Sequence, residues 1–337
     1  MSDPQAVFIE KFGGPEVLRL RSVPCLDPRE GEIRVAVKAA GVNFADLMMR
    51  MGLYPEAPKP PFVPGYEIAG TVLKVGSGVV NVKPGDRVVA GMQFGGYVTE
   101  VVINAQTARL IPPRISEIEA AAIPVNFLTA AIALEDMARV RVGDRVLVQN
   151  AAGGVGVAAL QLACLAGAEV TGLVGSEAKK KTVLELGGPG ARAFTYAEFA
   201  ENRDRFDVIL DPAGGETLKR NIARLSPTGR IVNFGVATMV SGSRRSIPRT
   251  VAALLKTPIL TPFRLMMSNT GVFGLNLLKI FQQDPELASR ALDRMLAHVA
   301  AGRLRPIVGK TFPLAQAGEA QEYLRSRANI GKVVLTN

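Results

Sequence analysis

The sequence predicts an α/β protein in which a doubly wound parallel sheet is inserted into a β-rich domain. Three observations carry the prediction: short strands and turns up to about residue 113, buried strands alternating with helices over about 145–235, and a return of strands after Gly302. Strands that are apolar along nearly their whole length indicate a parallel sheet covered on both faces. We therefore expect a β-rich domain of residues 1–124 and 303–337, and an inserted domain of residues 125–302.

The first part of the chain alternates short strands with turns. Glycine and proline clusters at residues 12–15, 76–78 and 83–86 separate the strands. Near Ser116 the apolar spacing becomes helical up to about Met137, with Ser116 as the N-cap and Glu119 as its capping-box partner. The predicted strands are AVFIE (6–10), EVLRLRSV (16–23), EIRVAVKAAGV (32–42), YEIAGTVLKVG (66–76), RVVAG (87–91) and GYVTEVV (96–102).

The middle of the chain alternates buried strands with helices. A segment over 237–269 is then irregular and basic, and VFGLNL (272–277) and residues 285–301 follow as a strand and an amphipathic helix that ends at Gly302. The predicted strands are RVLVQN (145–150), EVTGLV (169–174), DVILD (207–211) and RIVNFG (230–235), with helices over 154–166, 177–187 and 215–225. The basic side chains of the irregular segment are Arg244, Arg245, Arg249, Lys256 and Arg264.

Composition limits the classes of function. At 337 residues and 48% hydrophobic, the chain can bury a large core. Its charge of +10 comes from scattered basic residues and it has no Trp for base stacking, so we expect no nucleic-acid partner. The N-terminus lacks a basic and apolar leader, and polar residues interrupt the most apolar stretch at 120–134, so we expect neither a signal peptide nor a membrane segment. Two cysteines in unrelated contexts favour a reducing cytoplasm.

A glycine-rich loop follows the first strand of the middle part. Residues 150–156, Asn-Ala-Ala-Gly-Gly-Val-Gly, have G-x-G-x-x-G spacing with alanine in the first slot. Gly153 lets the backbone approach a pyrophosphate, Gly156 lets the helix pack on the strand, and the helix N-terminus presents free N–H groups to the anion. We predict a dinucleotide site that includes Ala152, Gly153, Gly154, Val155 and Gly156.

The residues at the end of the next strand indicate which of the two nicotinamide cofactors the site binds. An NAD site normally places Asp or Glu there to accept from the ribose hydroxyls. This chain has Val174, Gly175 and Ser176 instead, followed by three lysines at 179–181. Without a carboxylate, a 2′-phosphate is not repelled, and Ser176 and Lys179 supply a hydroxyl and a cation for it. We therefore predict NADPH, with Lys181 on a solvated helix face.

Several motifs occur in a familiar order along essentially the whole chain. They are AGVNFADLMMRMGLYP, PGYEIAGTVLKVGSGV, KPGDRVVA, GGYVTE, VNFLTA, AAGGVGVAALQLA, LDPAGGETL and NIGKVVL. This order resembles the medium-chain dehydrogenase/reductase superfamily, within it the quinone oxidoreductase branch, and there the group of VAT-1 homologues. The resemblance implies a GroES-like catalytic domain plus a Rossmann domain, with the active site in the cleft between them. It also implies a homodimer formed by sheet extension, with VFGLNL as the candidate edge strand.

The chain departs from the zinc alcohol dehydrogenases of that superfamily. Asn43 fills the slot of a cysteine ligand, and Tyr66 fills the slot of a histidine ligand. The cysteine-rich lobe that binds a structural zinc has no counterpart after Gly91, and the one histidine, His298, lies on a late amphipathic helix. We therefore expect no metal.

The resemblance also implies site residues. Asn43 and Tyr54 are candidates to stabilise a developing enolate oxygen, with Tyr54 as a possible proton donor, and Asp46 is either a catalytic acid or, more simply, a helix cap. The alternative is that Tyr54 has only a structural role, as an aromatic side chain that lines the cleft. Residues matching positions near the cofactor in relatives are Asn126, Thr129, Tyr196, Asn233, Phe234, Gly235, Asn329 and Lys332.

Three functions are compatible with these residues. The first is zinc-independent, NADPH-dependent hydride transfer to a quinone or an α,β-unsaturated carbonyl, because hydride suits a carbon made electrophilic by conjugation. The second is reduction of an enoyl thioester carried by CoA or an acyl-carrier protein, which the basic segment favours. The third is a non-catalytic, membrane-associated NADPH-binding protein, as the likeness to VAT-1 permits.

Overall fold

The computed structural model describes residues 3–237 and 256–337. The described residues form two compact units: one holds the chain up to Val125 and from Ile280 onward, and the other holds the residues from Asn126 to Lys279. Arg244, Arg245 and Arg249 of the predicted basic segment lie outside the described residues.

The strands are numbered in chain order. They are β1 (Gln5–Ile9), β2 (Leu18–Ser22), β3 (Glu32–Val42), β4 (Glu67–Val75), β5 (Arg87–Gly91), β6 (Glu100–Asn104), β7 (Ala108–Leu110), β8 (Arg145–Val148), β9 (Glu169–Val174), β10 (Arg192–Thr195), β11 (Phe206–Asp211), β12 (Leu225–Asn233), β13 (Gly271–Gly274), β14 (Val308–Pro313) and β15 (Lys332–Thr336).

The helices of the described ranges are numbered in the same way. They are α1 (Phe44–Arg50), α2 (Glu117–Ala120), α3 (Pro124–Ala131), α4 (Gly154–Leu165), α5 (Lys180–Leu186), α6 (Tyr196–Phe199), α7 (Gly215–Ile222), α8 (Pro262–Ser268), α9 (Leu277–Gln283), α10 (Pro285–Ala300) and α11 (Ala317–Arg325). Within these ranges no helix combines the length and the apolar character that crossing a bilayer requires.

A seven-stranded sheet forms the first unit. Its strand order is β14-β15-β3-β4-β5-β7, and β6 pairs with β3. Ile33, Val35 and Val37 point to the buried face of β3, as the period of two residues in a strand requires. Strand β15 runs antiparallel to β3 with Val333 opposite Val42, and this register brings the start of β15 beside the end of β3.

A six-stranded parallel sheet forms the second unit. Its order is β10-β9-β8-β11-β12-β13, which is the 3-2-1-4-5-6 order of a doubly wound dinucleotide-binding sheet. The prediction of this fold is confirmed. The sequence did not indicate β10, because its four residues, Arg-Ala-Phe-Thr, are too few and too mixed to show a pattern. Strand β13 lies at the edge of the sheet, beside β12.

The helix expected over 116–137 and the domain boundary expected after residue 302 differ from the structure. The single helix expected over 116–137 is instead α2, α3 and a π-helical segment, Ile132–Met137, because Pro124 has no N–H to continue a helix and so begins a new one. The helix α10 belongs to the first unit, so the second boundary lies between residues 279 and 280 rather than after 302. Arg109 Nε donates to Asp293 at 2.5 Å and Arg114 Nη1 donates to the carbonyl of Ala300 at 3.2 Å, which ties this helix to the first unit.

Candidate active site

A helix cap buried in the first unit organises the end of β3. Asn43 is the N-cap of α1, and its N–H donates to Asp46 Oδ2 at 2.8 Å. The same carboxylate oxygen accepts from the Tyr97 hydroxyl at 2.9 Å, and Asp46 Oδ1 accepts from the N–H of Gly65 at 3.2 Å. Asp46 has no solvent-exposed surface, and burial raises its pKa to about 7. Both carboxyl oxygens are therefore used to hold the chain, as the capping interpretation of Asp46 expects.

Three buried polar side chains meet beside this cap. Lys332 Nζ donates to Asn43 Oδ1 at 2.6 Å and forms an ion pair with Glu67 Oε1. Asn43 Nδ2 donates to the same Glu67 oxygen at 3.0 Å, while Glu67 Oε2 accepts from the N–H of Val125 at 2.8 Å. We call Asn43, Glu67 and Lys332 the buried triad. Every member is 7% exposed or less.

Two tyrosines lie next to each other after α1. The Tyr66 hydroxyl is buried, and its side chain shares a hydrogen bond with Tyr54 and lies 3.6 Å from Met49 Sδ. Burial raises the pKa of Tyr66 well above its usual value, so Tyr66 stays protonated and serves as a donor. Tyr54 is half-buried, and its hydroxyl can both donate and accept a hydrogen bond.

The glycine-rich loop of the second unit connects β8 to α4. A Cβ at Gly153 would lie 2.5 Å from Asn150 Nδ2, and a Cβ at Gly156 would lie 2.5 Å from the carbonyl oxygen of Ala151. Only glycine fits at either position, so the helix can begin tight against the strand. The first-turn N–H groups of α4 have no acceptor within the helix and point toward an incoming anion.

Helix α3 holds two predicted residues and brings one of them, Asn126, to this loop. Asn126 and Thr129 are both buried, and a Cβ at Gly154 would lie 2.5 Å from Asn126 Nδ2. The side chain of Asn126 therefore packs on the first residue of α4. The sequence placed Asn126 here only through resemblance, because the contact joins positions 28 residues apart.

The end of β9 has room for a phosphate. Among the described residues, none apart from its two chain neighbours lies within 4 Å of a Cβ built on Gly175. Ser176 is exposed, and Lys179 is partly buried, which lowers its pKa. Lys180 is already paired with Glu198, and Lys181 lies 3.7 Å from Glu185. Lys179 ends the single helical turn, Glu177–Lys179, that directly follows Ser176.

Other predicted cofactor residues lie around the same strand ends. The Tyr196 hydroxyl accepts from the N–H of Asn150, the first loop residue, at 3.0 Å. Asn233 Nδ2 donates to the carbonyls of Asp211 at 3.1 Å and Gly235 at 3.0 Å, and the N–H of Phe234 donates to the same Asp211 carbonyl at 3.0 Å. The carboxyl ends of β11 and β12 therefore form one ordered turn region, where ligands of such sheets bind.

The comparisons with known proteins agree with this geometry. Residues 29–113 match the family described as alcohol dehydrogenase GroES-like domain, and residues 191–335 match that described as zinc-binding dehydrogenase. The synaptic vesicle membrane protein VAT-1 homolog of Rattus norvegicus is 34% identical over 98% of this chain and 83% of its own length. The chain belongs to the medium-chain dehydrogenase/reductase superfamily.

Two solved structures match this chain over nearly its whole length. The Escherichia coli quinone oxidoreductase complexed with NADPH has a TM-score of 0.84 and 31% identity, and it covers 99% of this chain and 100% of its own. The CurK enoyl reductase has a TM-score of 0.84 and 26% identity, with 99% of each chain covered. The first unit is therefore a GroES-like domain, and the protein is an oxidoreductase of this superfamily.

The zinc site of the superfamily's alcohol dehydrogenases does not fit this chain. Asn43 and Tyr66 occupy the ligand slots, and the adjacent carboxylate of Glu67 is already neutralised by the Lys332 ammonium. A metal ion there would meet a like charge at the position of Lys332. In residues 3–237 and 256–337, no group of three or more His, Cys, Asp or Glu side chains is arranged to hold a metal.

The structure assigns places that the sequence pattern alone did not. Lys332, expected beside the cofactor, lies buried in the triad, while Asn329 Nδ2 donates to the carbonyl of Gly331 at 2.7 Å and holds the turn before it. Glu67 and Tyr97 were not predicted as site residues. The sequence held one indication for Glu67, because this residue directly follows Tyr66, which fills a zinc-ligand slot. A charged residue at the start of a strand has no distinctive spacing, so this indication was weak.

Proposed function

We propose that this protein is a zinc-independent, NADPH-dependent oxidoreductase that transfers hydride to a quinone or an α,β-unsaturated carbonyl. The observation that carries the proposal is the buried triad: an amide donor and a buried cation meet at Asn43, which fills a zinc-ligand slot of the alcohol dehydrogenases that the chain resembles. Such a site cannot ionise an alcohol through a metal, but it can stabilise an oxygen that becomes negative during the reaction.

The cofactor is NADPH, which supplies the hydride. The loop over 150–156 and the N-terminus of α4 fit its pyrophosphate, and the open space at Gly175 with Ser176 and Lys179 fits the 2′-phosphate. An Asp or Glu at Gly175 would repel that phosphate, and the chain has neither there.

The donors of the first unit suit a developing enolate. One Nδ2 hydrogen of Asn43 is used by Glu67, and the other has the carbonyl oxygen of Gly41 at 3.5 Å, the outer limit of a hydrogen bond. A substrate oxygen that gains negative charge is a stronger acceptor and would take this second hydrogen. Tyr54 provides a hydroxyl for the same oxygen or for the carbon that is protonated. Each well-placed donor lowers the barrier by about 3 kcal/mol.

An acceptor screen tests the proposal. NADPH oxidation would be followed by absorbance with quinones, small enones and saturated ketones as acceptors. We expect turnover with the conjugated acceptors, none with saturated ketones, and no loss of rate after treatment with a chelator. Turnover of saturated ketones or alcohols that disappears with the chelator would contradict the proposal.

A second candidate is an enoyl-thioester reductase, which the likeness to the CurK enoyl reductase favours. Lys256 and Arg264, described residues of the basic segment, would suit an acidic carrier or a phosphopantetheine group. Crotonyl-CoA should then be reduced with a higher kcat/KM than small enones, and Arg264→Ala should raise its KM without changing turnover of small enones. No turnover of crotonyl thioesters would exclude this candidate.

The likeness to the VAT-1 homologues favours a third candidate, a non-catalytic and membrane-associated NADPH-binding protein. NADPH binding without NADPH oxidation across the whole panel of acceptors would favour this candidate over the proposed reductase.

We also propose a homodimer that pairs β13 of two copies, because a strand at a sheet edge presents unpaired backbone groups. Sedimentation should give twice the mass of 35.8 kDa, and Val272→Pro should reduce it to the monomer mass.

A further inference from the structure

We propose that Lys332 is the resident cation of this site: it takes the place of the superfamily's metal charge beside Glu67 and positions Asn43 as a donor. The inference rests on the proposed function, because it names how the donor of that reaction is held. Lys332 does not touch substrate in this account, so it is a positioning residue rather than a catalytic one.

The contacts of Lys332 carry the first step. Its ammonium is buried, pairs with Glu67 Oε1 and donates to Asn43 Oδ1 at 2.6 Å. An amide whose oxygen accepts from a cation is polarised, and its N–H groups become stronger donors. The ammonium also fixes which end of the amide is oxygen, since an ammonium cannot accept a hydrogen bond.

Glu67 carries the second step. Its Oε1 accepts from Asn43 Nδ2 at 3.0 Å, and its Oε2 accepts from the N–H of Val125 at 2.8 Å, at the start of α3. A fully buried carboxylate is costly without a compensating cation, and Lys332 supplies that charge. The pair therefore holds Asn43 on one side and the first turn of α3 on the other.

The backbone makes room for this arrangement. A Cβ on Gly41 would collide with Glu67 Oε1 and would lie 2.6 Å from Lys332 Cε. Gly331 has φ +68° and precedes Lys332, and the N–H of Lys332 donates to the carbonyl of Ile307 at 2.8 Å. Glycine at both positions allows a lysine to enter the interior between β3 and β15.

Steady-state kinetics of four variants tests the inference. Lys332→Met and Asn43→Ala should each lower kcat about 10- to 100-fold. The affinity for NADPH, measured by cofactor fluorescence, should change less than about twofold. Because Lys332 acts through Asn43, the Asn43→Ala/Lys332→Met double variant should be no slower than the slower single variant. Lys310→Met, an exposed lysine on neighbouring β14, is the matched control and should keep full activity.

A variant that removes both buried charges distinguishes a loss of catalysis from a loss of folding. Glu67→Gln/Lys332→Met leaves no uncompensated buried charge, so it should fold, yet its kcat should stay low because Asn43 has lost the ammonium. Full kcat in this variant would show that the pair is only structural and would overturn the inference. So would unchanged kcat in Lys332→Met, or weaker NADPH binding with kcat unchanged. If the wild-type protein oxidised NADPH with none of the conjugated acceptors, the proposed function itself would instead be wrong.

Discussion

The Tyr97 hydroxyl donates a 2.9 Å hydrogen bond to Asp46 in the interior of the first unit, where neither side chain has exposed surface. The carboxylate also accepts two backbone N–H groups, from Asn43 and Gly65. Burial outweighs these hydrogen bonds and raises the pKa of Asp46 to about 7, and it raises the pKa of Tyr97 as well. The cap of α1 is therefore a group that titrates near neutral pH.

This relationship predicts a pH-dependent stability. The unfolded state has the ordinary Asp pKa of about 3.9, below the folded value, so from about pH 4 to 7 the folded state binds more protons. Stability then falls as pH rises through this window, by at most about 1.4 kcal/mol per pH unit, and levels off above pH 7. Asp46→Asn should lack this slope, and urea unfolding at several pH values measures it. Asp86→Asn, in a turn, is the control; curves of wild type and Asp46→Asn that stay parallel would contradict the raised pKa.

Lys179 should contribute to the preference for NADPH. It is partly buried near the end of β9, and removing its ammonium weakens binding of a 2′-phosphate but not of a hydroxyl. We expect Lys179→Ala to raise the Kd for NADPH about tenfold, which is about 1.4 kcal/mol, with the Kd for NADH unchanged. Lys181→Ala is the matched control, because Lys181 is exposed beside Glu185. Equal effects of the two substitutions on NADPH would refute this role.

Gly175 should allow the cofactor preference to be reversed. A side chain there meets open space among the described residues, so Gly175→Asp places a carboxylate without steric cost. Like charge should weaken NADPH binding about 10-fold or more, while the carboxylate accepts from the ribose hydroxyls of NADH. Fluorescence titration with both cofactors measures the ratio. Ser77→Asp adds the same charge at an exposed turn of the first unit and should leave the ratio unchanged. An unaltered ratio in Gly175→Asp would place the 2′-phosphate elsewhere.

The two tyrosines should differ in their effect on turnover. Tyr54→Phe removes the hydroxyl proposed to act on substrate and should lower kcat about 10- to 100-fold. Tyr66→Phe removes the hydroxyl that donates to Met49 Sδ and shares a hydrogen bond with Tyr54, so its effect should be smaller and should show as a changed pH profile of kcat. Tyr323→Phe, which stacks on Phe312 at 5.7 Å, is the control. If Tyr54→Phe kept wild-type kcat at every pH, Tyr54 would only line the site and its hydroxyl would have no role in turnover.

Local patterns in the sequence determined much of the fold. The predicted strands 32–42, 87–91 and 169–174 match β3, β5 and β9 residue for residue, because alternation or a fully apolar run is a short-range property. The capping box of Ser116 and Glu119 is confirmed for the same reason, since both partners lie within one turn. The glycine-rich loop and helix α4 could also be predicted, because the loop residues are contiguous in the chain.

The sequence by itself thus determined the two kinds of sheet and the dinucleotide loop, which depend on neighbouring residues. Its resemblance to the superfamily indicated that Asn43 and Tyr66 replace zinc ligands. Only the tertiary structure decided how Lys332 is used. Its ammonium meets Asn43, 289 positions away, because β15 pairs with β3. Burial, which no sequence spacing reveals, raises the pKa of Asp46 to about 7. It also makes the carboxylate of Glu67 depend on a neighbouring cation. Contacts between distant segments and the loss of water around them set the chemistry of this site, and both exist only once the chain has folded.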